Sequence, residues 1–342
     1  DQRKALDLAL ASKISVITGG PGVGKTYTLN MIIQALGPKK VVYLAAPTGK
    51  AAKRMNEATN HEAKTIHRLL KYNPMWGGFE HSQESPLDCD VLIIDESSMM
   101  DICLTDNLLD AINSEKTQLI LVGDKDQLPS VGPGAVLGDI IESEAVPVAH
   151  LKTLHRQASK SLININAQKI NRGEEINFTP IDGGEPDMWF VPEEDPQKIA
   201  DRIVTACQNI PDHFNFGPDD IQILCPQKKG PVGTGHLNKI LREKIFNPIG
   251  EEIKGSPFRI GDRVIQLKNN YDYGVFNGDI GVIKDACGAG MVVEFEANGE
   301  AQAIEYTAEN YGQLALAYAL TIHKSQGSEF PVVIMPMHTT NY

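Results

Sequence analysis

The glycine-rich segment GGPGVGKT, near the start of the sequence, has the residue types needed to hold a chain of phosphates. Glycines leave room for backbone N–H groups to surround phosphate oxygens, a lysine can reach the β and γ oxygens, and a hydroxyl can hold Mg²⁺. The residues in these roles are Gly20, Gly22, Gly24, Lys25 and Thr26. The segment therefore predicts a site for magnesium-bound ATP, with a simple glycine-rich turn as the alternative.

Two further segments carry polar side chains suited to hydrolysis of ATP. VLIIDES places Asp95 and Glu96 directly after four apolar residues, and LILVGDKDQLPSV places Gln127 in the loop after another apolar run. Asp95 can hold the metal through water, Glu96 can orient and deprotonate the attacking water, and Gln127 can hydrogen-bond the γ-phosphate and that water. The alternatives are a helix cap for the two acids and a solvated loop position for the glutamine.

Each of these polar segments follows an apolar run of strand length. ISVIT precedes the glycine-rich segment, and YTLNMIIQAL after it has helical periodicity. Apolar runs that end in functional residues are typical of buried parallel strands, whose carboxyl ends meet at one edge of a sheet. The sequence therefore predicts an α/β fold with a parallel sheet and an ATPase site.

Two other strand ends carry a threonine and a cation at the start of a helix. VVYLAAPTGKAAKRM contains Thr48 and Lys50, and TIHRLL begins with Thr65. Threonine caps helix N-termini, and free N–H groups with nearby cations attract phosphate. The two segments favour a second phosphate-bearing ligand, such as a polynucleotide backbone, with ordinary caps of surface helices as the alternative.

Length, charge and cysteine usage limit the class of protein. The 342 residues allow about two domains, and no run approaches the roughly 18 apolar residues of a membrane span. Five scattered cysteines without a CxxC pair favour a reducing, cytoplasmic compartment. The net charge of −12 argues against non-specific coating of nucleic acid but is compatible with a local basic groove.

The ordered set of segments resembles the superfamily 1 helicases, and within them the RecD-like branch. The matching segments, in that family's order, are GGPGVGKT, AAPTGKAAKRM, TIHRLL, IIDESSMM, VGDKDQLPSV, LHRQ, CPQKKGPVGTGHLN and ALTIHKSQGSEF. The resemblance extends from Gln2 nearly to the last residue. It implies two RecA-like P-loop domains with ATP between them, and single-stranded DNA as the polymer.

The resemblance also implies roles for individual residues. Gln2 would read adenine, and Arg156 would reach the γ-phosphate from the second domain. In HKSQGSEF, Gly327 would face the γ-phosphate and Glu329 the ATP ribose. The positions that match the family's contacts to single-stranded DNA are Thr48, Lys50, Thr65, His67, Thr321 and His323.

Domain limits follow from the motif order and from local composition. The first domain is expected over residues 1–150, with residues 71–88 as a β-hairpin insertion or a plain loop. The resemblance implies that such a hairpin acts as a strand-separating pin. The second domain is expected over residues 151–342, with a small β-barrel insertion over residues 250–316. In that insertion apolar and polar residues alternate between Asn-Gly turns.

The barrel and the end of the sequence add two expectations. Tyr271, Tyr273 and Phe276 could stack on bases, with packing inside the barrel or a hairpin as the alternative. In the family, a motif with a second arginine follows the strand that PVVIMPM resembles. The sequence stops at Tyr342 before such an arginine, so the resemblance implies an incomplete second domain.

The predicted function is an ATP-dependent DNA helicase or translocase, and the resemblance implies movement 5′ to 3′ on single-stranded DNA. Hydrolysis between two RecA-like domains would be coupled to strand movement, with duplex DNA at a fork as substrate and subunits of a nuclease complex as candidate partners. Two alternatives remain at this stage. One is a P-loop ATPase that switches protein partners, and the other is an RNA helicase, because phosphate contacts do not report the 2′-OH.

Overall fold

The computed structural model describes residues 1–73, 75–153, 160–180, 183–270, 273–287, 290–297 and 300–339. These residues form two compact units, Asp1–Val191 and Pro192–Tyr342. The predicted site residue Arg156 and the aromatic residue Tyr271 lie outside the described residues. The structure groups the described residues of 151–191 with the first unit, whereas the motif order assigns them to the second domain, and that assignment stays a prediction.

The first unit is a layered α/β structure built on one large sheet. Its helices are α1 (Gln2–Ala11), α2 (Lys25–Leu36), α3 (Gly49–Thr59), α4 (Ile66–Leu69), α5 (Ile102–Asp110), α6 (Val136–Glu142) and α7 (Leu162–Asn171). Its strands are β1 (Ile14–Thr18), β2 (Val42–Ala46), β3 (Ala63–Thr65), β4 (Tyr72–Asn73), β5 (Gly78–Phe79), β6 (Val91–Ile94), β7 (Gln118–Gly123) and β8 (Val148–His150). A 3₁₀ turn spans Ser97–Met99.

Six of these strands form a parallel sheet in the order β3-β2-β6-β7-β1-β8. Alternate residues of β6 enter different apolar clusters, Leu92 and Ile94 on one side and Val91 and Ile93 on the other. Both faces of the sheet are therefore covered, which explains why the strands read as continuous apolar runs rather than alternating ones. The predicted α/β fold with a parallel sheet is confirmed.

The order of the strands brings three polar loops to one edge of this sheet. Strand β7 lies between β1 and β6, with Thr18 opposite Gly123 and Ile94 opposite Leu121. Because all three strands are parallel, the loops that follow them leave the sheet side by side. These are the loops that carry the residues predicted to bind and hydrolyse ATP.

A short hairpin lies within the predicted insertion 71–88. Strands β4 and β5 pair antiparallel, with Tyr72 opposite Phe79 and Asn73 opposite Gly78. Met75 and Trp76 in the connecting turn are 93% and 60% exposed. Strand pairing covers only residues 72–79, and the rest of the segment contains one isolated bridge between Ser82 and Ser85.

The second unit contains a long helix followed by two sheets. Its helices are α8 (Pro196–Phe214), α9 (Thr234–Leu241) and α10 (Ile322–Ser325), and π-helical turns span Arg242–Phe246. Its strands are β9 (Ile221–Cys225), β10 (Arg263–Gln266), β11 (Ile280–Cys287), β12 (Gly290–Ala297), β13 (Glu300–Thr307), β14 (Leu314–Leu316), β15 (Ala319–Thr321) and β16 (Val332–Ile334). Short 3₁₀ turns span Pro218–Asp220 and Tyr311–Gln313.

The two sheets of this unit differ in strand direction. Strands β15, β9 and β16 form a parallel sheet with β9 in the centre. Strands β13, β12, β11, β10 and β14 form an antiparallel sheet in that order, and it encloses its own apolar core. The antiparallel strands occupy residues 263–316, inside the range where the sequence predicts a small barrel.

Within the ranges that the structure describes, no helix combines the length and the apolar character needed to cross a bilayer.

We expect Leu92→Ala to destabilise the first unit by about 2–5 kcal/mol, because it removes a fully buried side chain from the centre of the sheet. Both tryptophans, Trp76 and Trp189, belong to this unit, so urea unfolding followed by tryptophan fluorescence reports it selectively. The control Leu109→Ala changes a half-exposed helix position and should cost no more than about 0.5 kcal/mol. Equal unfolding midpoints for the two variants would contradict the assigned core.

Candidate nucleotide and nucleic-acid sites

Residues 19–24 connect β1 to α2 as a tight loop. Gly22 and Gly24 have φ angles of 74° and 84°, a region that other L-residues enter only with strain. At Gly19 a Cβ would lie only 2.6 Å from the backbone oxygen of Leu151, so the loop passes directly against the chain that follows β8. Gly20 lies in the same loop, and the predicted phosphate-binding glycines are thus on one short turn before a helix.

Lys25 is the first residue of α2, and its side chain folds back over the loop. Its Nζ donates hydrogen bonds to the backbone oxygens of Gly19 at 2.7 Å and Gly20 at 3.1 Å. The side chain is half-buried, while that of the neighbouring Thr26 is exposed. The ammonium group is therefore held at the mouth of the loop by uncharged acceptors, which bind it less strongly than phosphate oxygens would.

Asp95 and Glu96 follow β6 at the same edge of the sheet. The backbone N–H of Asp95 donates to the oxygen of Ala45 on β2 at 3.0 Å, and its Oδ1 accepts the N–H of Glu96 at 2.8 Å. Glu96 has a φ of 51°, which is unusual for a residue with a side chain. The aspartate thus stabilises a sharp turn that directs the chain, and with it the glutamate, away from the strand.

Burial affects both of these carboxyl groups. Desolvation raises the pKa of Asp95 and of Glu96, and the negative charge of Asp95 raises the pKa of Glu96 further. The hydrogen bond from Glu96 N–H to Asp95, and the charges of Lys25 and Arg54 on both groups, oppose these shifts, but both pKa values stay above their ordinary range. The two cations therefore favour the ionised carboxylates that metal binding and base catalysis require.

A third carboxyl group, Asp124, lies at the end of the intervening strand β7. It is almost completely buried, and its Oδ1 accepts the N–H of Asp126 at 3.1 Å. Desolvation raises its pKa, while the backbone hydrogen bond, the charge of Lys25 and a side-chain hydrogen bond from Gln127 lower it. Asp124 therefore interacts with the charge of Lys25 and with Gln127, whose backbone N–H also donates to the Asp124 backbone oxygen at 3.2 Å.

Sequence reasoning missed Asp124 and Arg54 as members of this group. Asp124 is the first charged residue after LILVG, as Asp95 is after VLII, so the same strand-end argument would have found it. Arg54 follows Lys50 by four residues in α3, which places both on one face of the helix. The helical spacing in KAAKR is the signal that could have identified it.

Gln2 lies at the start of α1, near the phosphate loop. The carboxylate of its neighbour Asp1 accepts hydrogen bonds from Lys152 N at 3.0 Å, Thr153 N at 3.1 Å and Thr153 Oγ1 at 2.7 Å. These residues directly follow Leu151, whose N–H donates to Thr18 at the end of β1 at 2.8 Å. The first residues of the chain are thereby tied to the strand that precedes the loop.

The predicted DNA contacts of the first unit lie after the two adjacent strands β2 and β3. Thr48 Oγ1 accepts the N–H of Ala51 at 3.2 Å at the start of α3, and Thr65 Oγ1 accepts the N–H of Arg68 at 3.1 Å. Strands β2 and β3 are parallel, with Ala46 opposite Thr65, so these threonines lie at the same sheet edge. Lys50 is half-buried in the first turn of α3.

His67 packs against the base of the hairpin. Its ring centroid lies 5.6 Å from those of Tyr72 and Phe79, which are themselves 5.2 Å apart. Burial lowers the pKa of His67, and the charge of Asp101 opposes this shift. Burial among these rings therefore favours the uncharged imidazole.

The remaining predicted residues belong to the second unit. Thr321 ends β15, the exposed His323 lies in α10, and Gly327 has a φ of 70° in the turn that follows. Glu329 is exposed after that turn. The structure thus places these four residues on one loop that follows the parallel sheet.

Three family models match different parts of the chain. An AAA domain matches residues 2–133, the SH3 domain of an ATP-dependent RecD-like DNA helicase matches residues 237–296, and a UvrD-like helicase C-terminal domain matches residues 316–342.

Curated relatives align with nearly the whole chain. The ATP-dependent RecD2 DNA helicase of Deinococcus radiodurans is 38% identical over 99% of this chain and 45% of its own length. The RecBCD enzyme subunit RecD of Mycolicibacterium smegmatis is 33% identical over 96% of this chain and 64% of its own length. The chain therefore spans about half to two thirds of the length of these relatives.

Solved structures of Pif1 helicases share the fold. A Pif1 structure described as a basis for unwinding of forked double-stranded DNA by two coordinating helicases superposes with a TM-score of 0.59 at 22% identity, covering 98% of this chain and 84% of its own. Pif1 from Bacteroides in complex with ADP-AlF3 and single-stranded DNA gives 0.58 at 19% identity, covering 99% and 86%.

We expect the His67 pKa to rise to its ordinary value of about 6.5 when Tyr72 and Phe79 are both replaced by Ser, because the ring becomes solvated. The pKa is measured from the pH dependence of the imidazole proton resonances. Trp76→Ser is the control, since that ring lies against Gly78 in the hairpin turn. An unchanged His67 pKa in the double variant would show that the aromatic rings do not cause its burial.

Proposed function

We propose that this chain belongs to the RecD-like branch of the superfamily 1 helicases and is an ATP-driven motor that moves along single-stranded DNA and separates duplex DNA at a fork. The observation that carries the proposal is the placement of Lys25 among Asp95, Glu96 and Asp124 at one sheet edge. The helicase relatives described above support the choice of polymer.

The first part of the proposal concerns the phosphates of ATP. The N–H groups of Gly20, Gly22 and Gly24 would surround them, and Lys25 would exchange its carbonyl partners for β and γ oxygens. Adenine would be read by Gln2, which the Asp1 contacts hold beside the chain after β8. From the second unit, Gly327 and Glu329 would contribute to the γ-phosphate and ribose sites.

The donor set at this edge also fits Mg²⁺. The hydroxyl of Thr26 and the carboxylate of Asp95 are oxygen ligands of the type this ion prefers. When bound, the ion would neutralise charge on the phosphate oxygens during transfer.

Glu96 is the proposed base for the attacking water. Its Oε2 is buried and has no hydrogen-bond partner among the described residues, so an acceptor is available for a water proton. Gln127, fixed by Asp124, would orient that water. Arg156 would add positive charge at the γ-phosphate, although it lies outside the described residues.

The second part of the proposal concerns the DNA strand. Thr48, Lys50 and Thr65 occupy one sheet edge, and their hydroxyl, ammonium and nearby N–H groups suit a phosphodiester backbone. His67, with its aromatic neighbours, would contact the strand beside them. Thr321 and His323 would extend the path in the second unit.

We further propose that both units are RecA-like domains, each with an insertion. The hairpin at β4 and β5 would be the first insertion and a strand-separating pin, and the antiparallel sheet would be the core of the second, a small barrel. The SH3-domain match to residues 237–296 supports the second assignment. The proposal also includes translocation 5′ to 3′ and a cytoplasmic compartment. The protein would act alone or with subunits of a nuclease complex.

The decisive experiment compares ATP hydrolysis without polymer, with single-stranded DNA and with single-stranded RNA. We expect stimulation by DNA, because the proposed contacts couple the strand to the ATP site. Stimulation by RNA alone would identify an RNA helicase. Equal rates in all three conditions would favour a nucleotide switch acting on protein partners and would overturn the proposal.

Two substitutions separate nucleotide binding from hydrolysis. Lys25→Ala removes the cation for the β and γ oxygens and should weaken both ATP binding and turnover. Glu96→Gln keeps the side-chain shape but cannot accept the water proton, so it should retain ATP affinity and lose about 100-fold or more in kcat. Affinity is measured with a fluorescent ATP analogue, and equal loss of affinity in both variants would contradict the role of Glu96.

The hairpin turn provides a separate prediction about unwinding. Replacing the exposed Met75 and Trp76 by Ser should lower unwinding of a forked duplex while DNA-stimulated ATP hydrolysis stays unchanged, because movement along the strand does not require the pin. Leu109→Ser, another exposed apolar position of the same unit, serves as the control. Parallel loss of both activities in the Met75 and Trp76 variant would show that the turn is not a pin.

A further inference from the structure

A single stretch of chain joins the two sheets of the second unit. Residues 314–321, here named the crossing segment, begin as β14 in the antiparallel sheet and end as β15 in the parallel sheet. Val264 of β10 lies opposite Leu316, and Ile223 of β9 lies opposite Ala319. Ala317 and Tyr318 form the passage between the sheets, and both are buried.

Two buried side chains hold this passage. The Nε2 of Gln222 donates to the backbone oxygens of Ala317 at 3.3 Å and Tyr318 at 3.2 Å. Its Oε1 accepts a hydrogen bond from Arg263 Nη2 at 2.9 Å. The guanidinium has donors only, so it fixes the amide of Gln222 with the oxygen toward β10 and the NH₂ group toward the crossing segment.

The same passage is held from two other directions. The backbone N–H of Arg263 donates to the Tyr318 hydroxyl at 3.2 Å, and that hydroxyl donates to Asp262 Oδ1 at 3.0 Å. Asn238 of α9 both donates to the oxygen of Ala319 at 2.8 Å and accepts its N–H at 2.9 Å. The crossing segment is therefore bound to both sheets and to a helix.

Arg263 forms no salt bridge within the described part of the chain: burial lowers its pKa, and the charges of Asp219 and Asp220 oppose this shift only in part. Besides Gln222, its guanidinium donates to the backbone oxygens of Asp219 and Ile221, each at 3.2 Å, and these acceptors are all uncharged. Removing a guanidinium from water costs free energy that neutral acceptors offset poorly, and an apolar side chain of similar size would avoid this cost. An apolar residue at position 263 could not hold the Gln222 amide, and through it the crossing segment, in place.

We propose that Arg263 and Gln222 are positioning residues for the loop of His323, Gly327 and Glu329, through which DNA contact would stimulate ATP turnover. Thr321 lies only three residues after Tyr318, roughly 10 Å along an extended strand, and the loop with His323, Gly327 and Glu329 follows at once. The hydrogen bonds to the crossing segment therefore fix the point from which that loop begins. This inference rests on the proposed function, because it takes from it the DNA contact of His323 and the ATP contacts of Gly327 and Glu329.

The test replaces Arg263 and Gln222 together, because replacing only one of them would leave the buried polar group of the other without its partner. For Arg263→Met with Gln222→Met, we expect the basal kcat and the KM for ATP to stay within about twofold, and DNA-stimulated kcat to fall about fivefold or more. The ATP consumed per base pair unwound should rise. The control Arg259→Met removes a cation of the same unit that pairs with Glu252 and should retain wild-type stimulation.

A milder variant keeps the proposal testable if the double variant does not fold. Tyr318→Phe deletes only the hydroxyl between Arg263 and Asp262, and should lower DNA stimulation about two- to threefold with basal turnover unchanged. Wild-type stimulation in Tyr318→Phe, or in a folded double variant, would overturn the inference and leave the proposed function intact. Absence of DNA stimulation in the wild-type protein would instead overturn the proposed function.

Discussion

The positive charge of Lys25 is the interaction on which the candidate ATP site depends. Asp95, Glu96 and Asp124 are all desolvated, and burial alone raises the pKa of each toward protonation. A protonated carboxyl would be a poor metal ligand and could not act as a base. The charge of Lys25 opposes this shift in all three groups, so one ammonium ion favours the charged form of every carboxylate in a buried acidic site.

Sheet topology explains how one side chain reaches three carboxyl groups. Asp124 follows β7, which lies between β1 and β6. The glycine loop after β1 leads to Lys25, and the sharp turn after β6 carries Asp95 and Glu96. The left-handed backbone of Glu96 costs about 1 kcal/mol or more. The hydrogen bond from Glu96 N–H to the Asp95 carboxylate helps to offset it, so the two acids fix each other's placement.

The fold and the site were predictable from the sequence to different depths. Apolar runs that end in acids or glycines identified the parallel strands and their loops, because such strands must leave their polar ends at one edge. The same rule applied to Asp124 and was not used. In contrast, Gln222 and Arg263 are 41 residues apart, and Gln222 and Ala317 are 95 apart, so only the folded chain reveals that they meet. The length of the hairpin could not be predicted either, because turn residues indicate that the chain reverses direction but not how many residues pair on each side of the turn.

The buried cations of the two units have different physical roles. Lys25 offsets negative charge, whereas Arg263 donates its hydrogen bonds to neutral acceptors, and its proposed role is to fix geometry. Fixed geometry is important for the loop that follows the crossing segment. Its helix α10 has only four residues, and Gly327 turns the chain with positive φ, so the loop has little regular structure of its own. Ile322 and Phe330, at its two ends, pack on the small apolar cluster of Leu224 and Leu320. The position of the loop must therefore come from the strand before it and from these two anchors, which is why the hydrogen bonds at the crossing segment matter for residues several positions further along the chain.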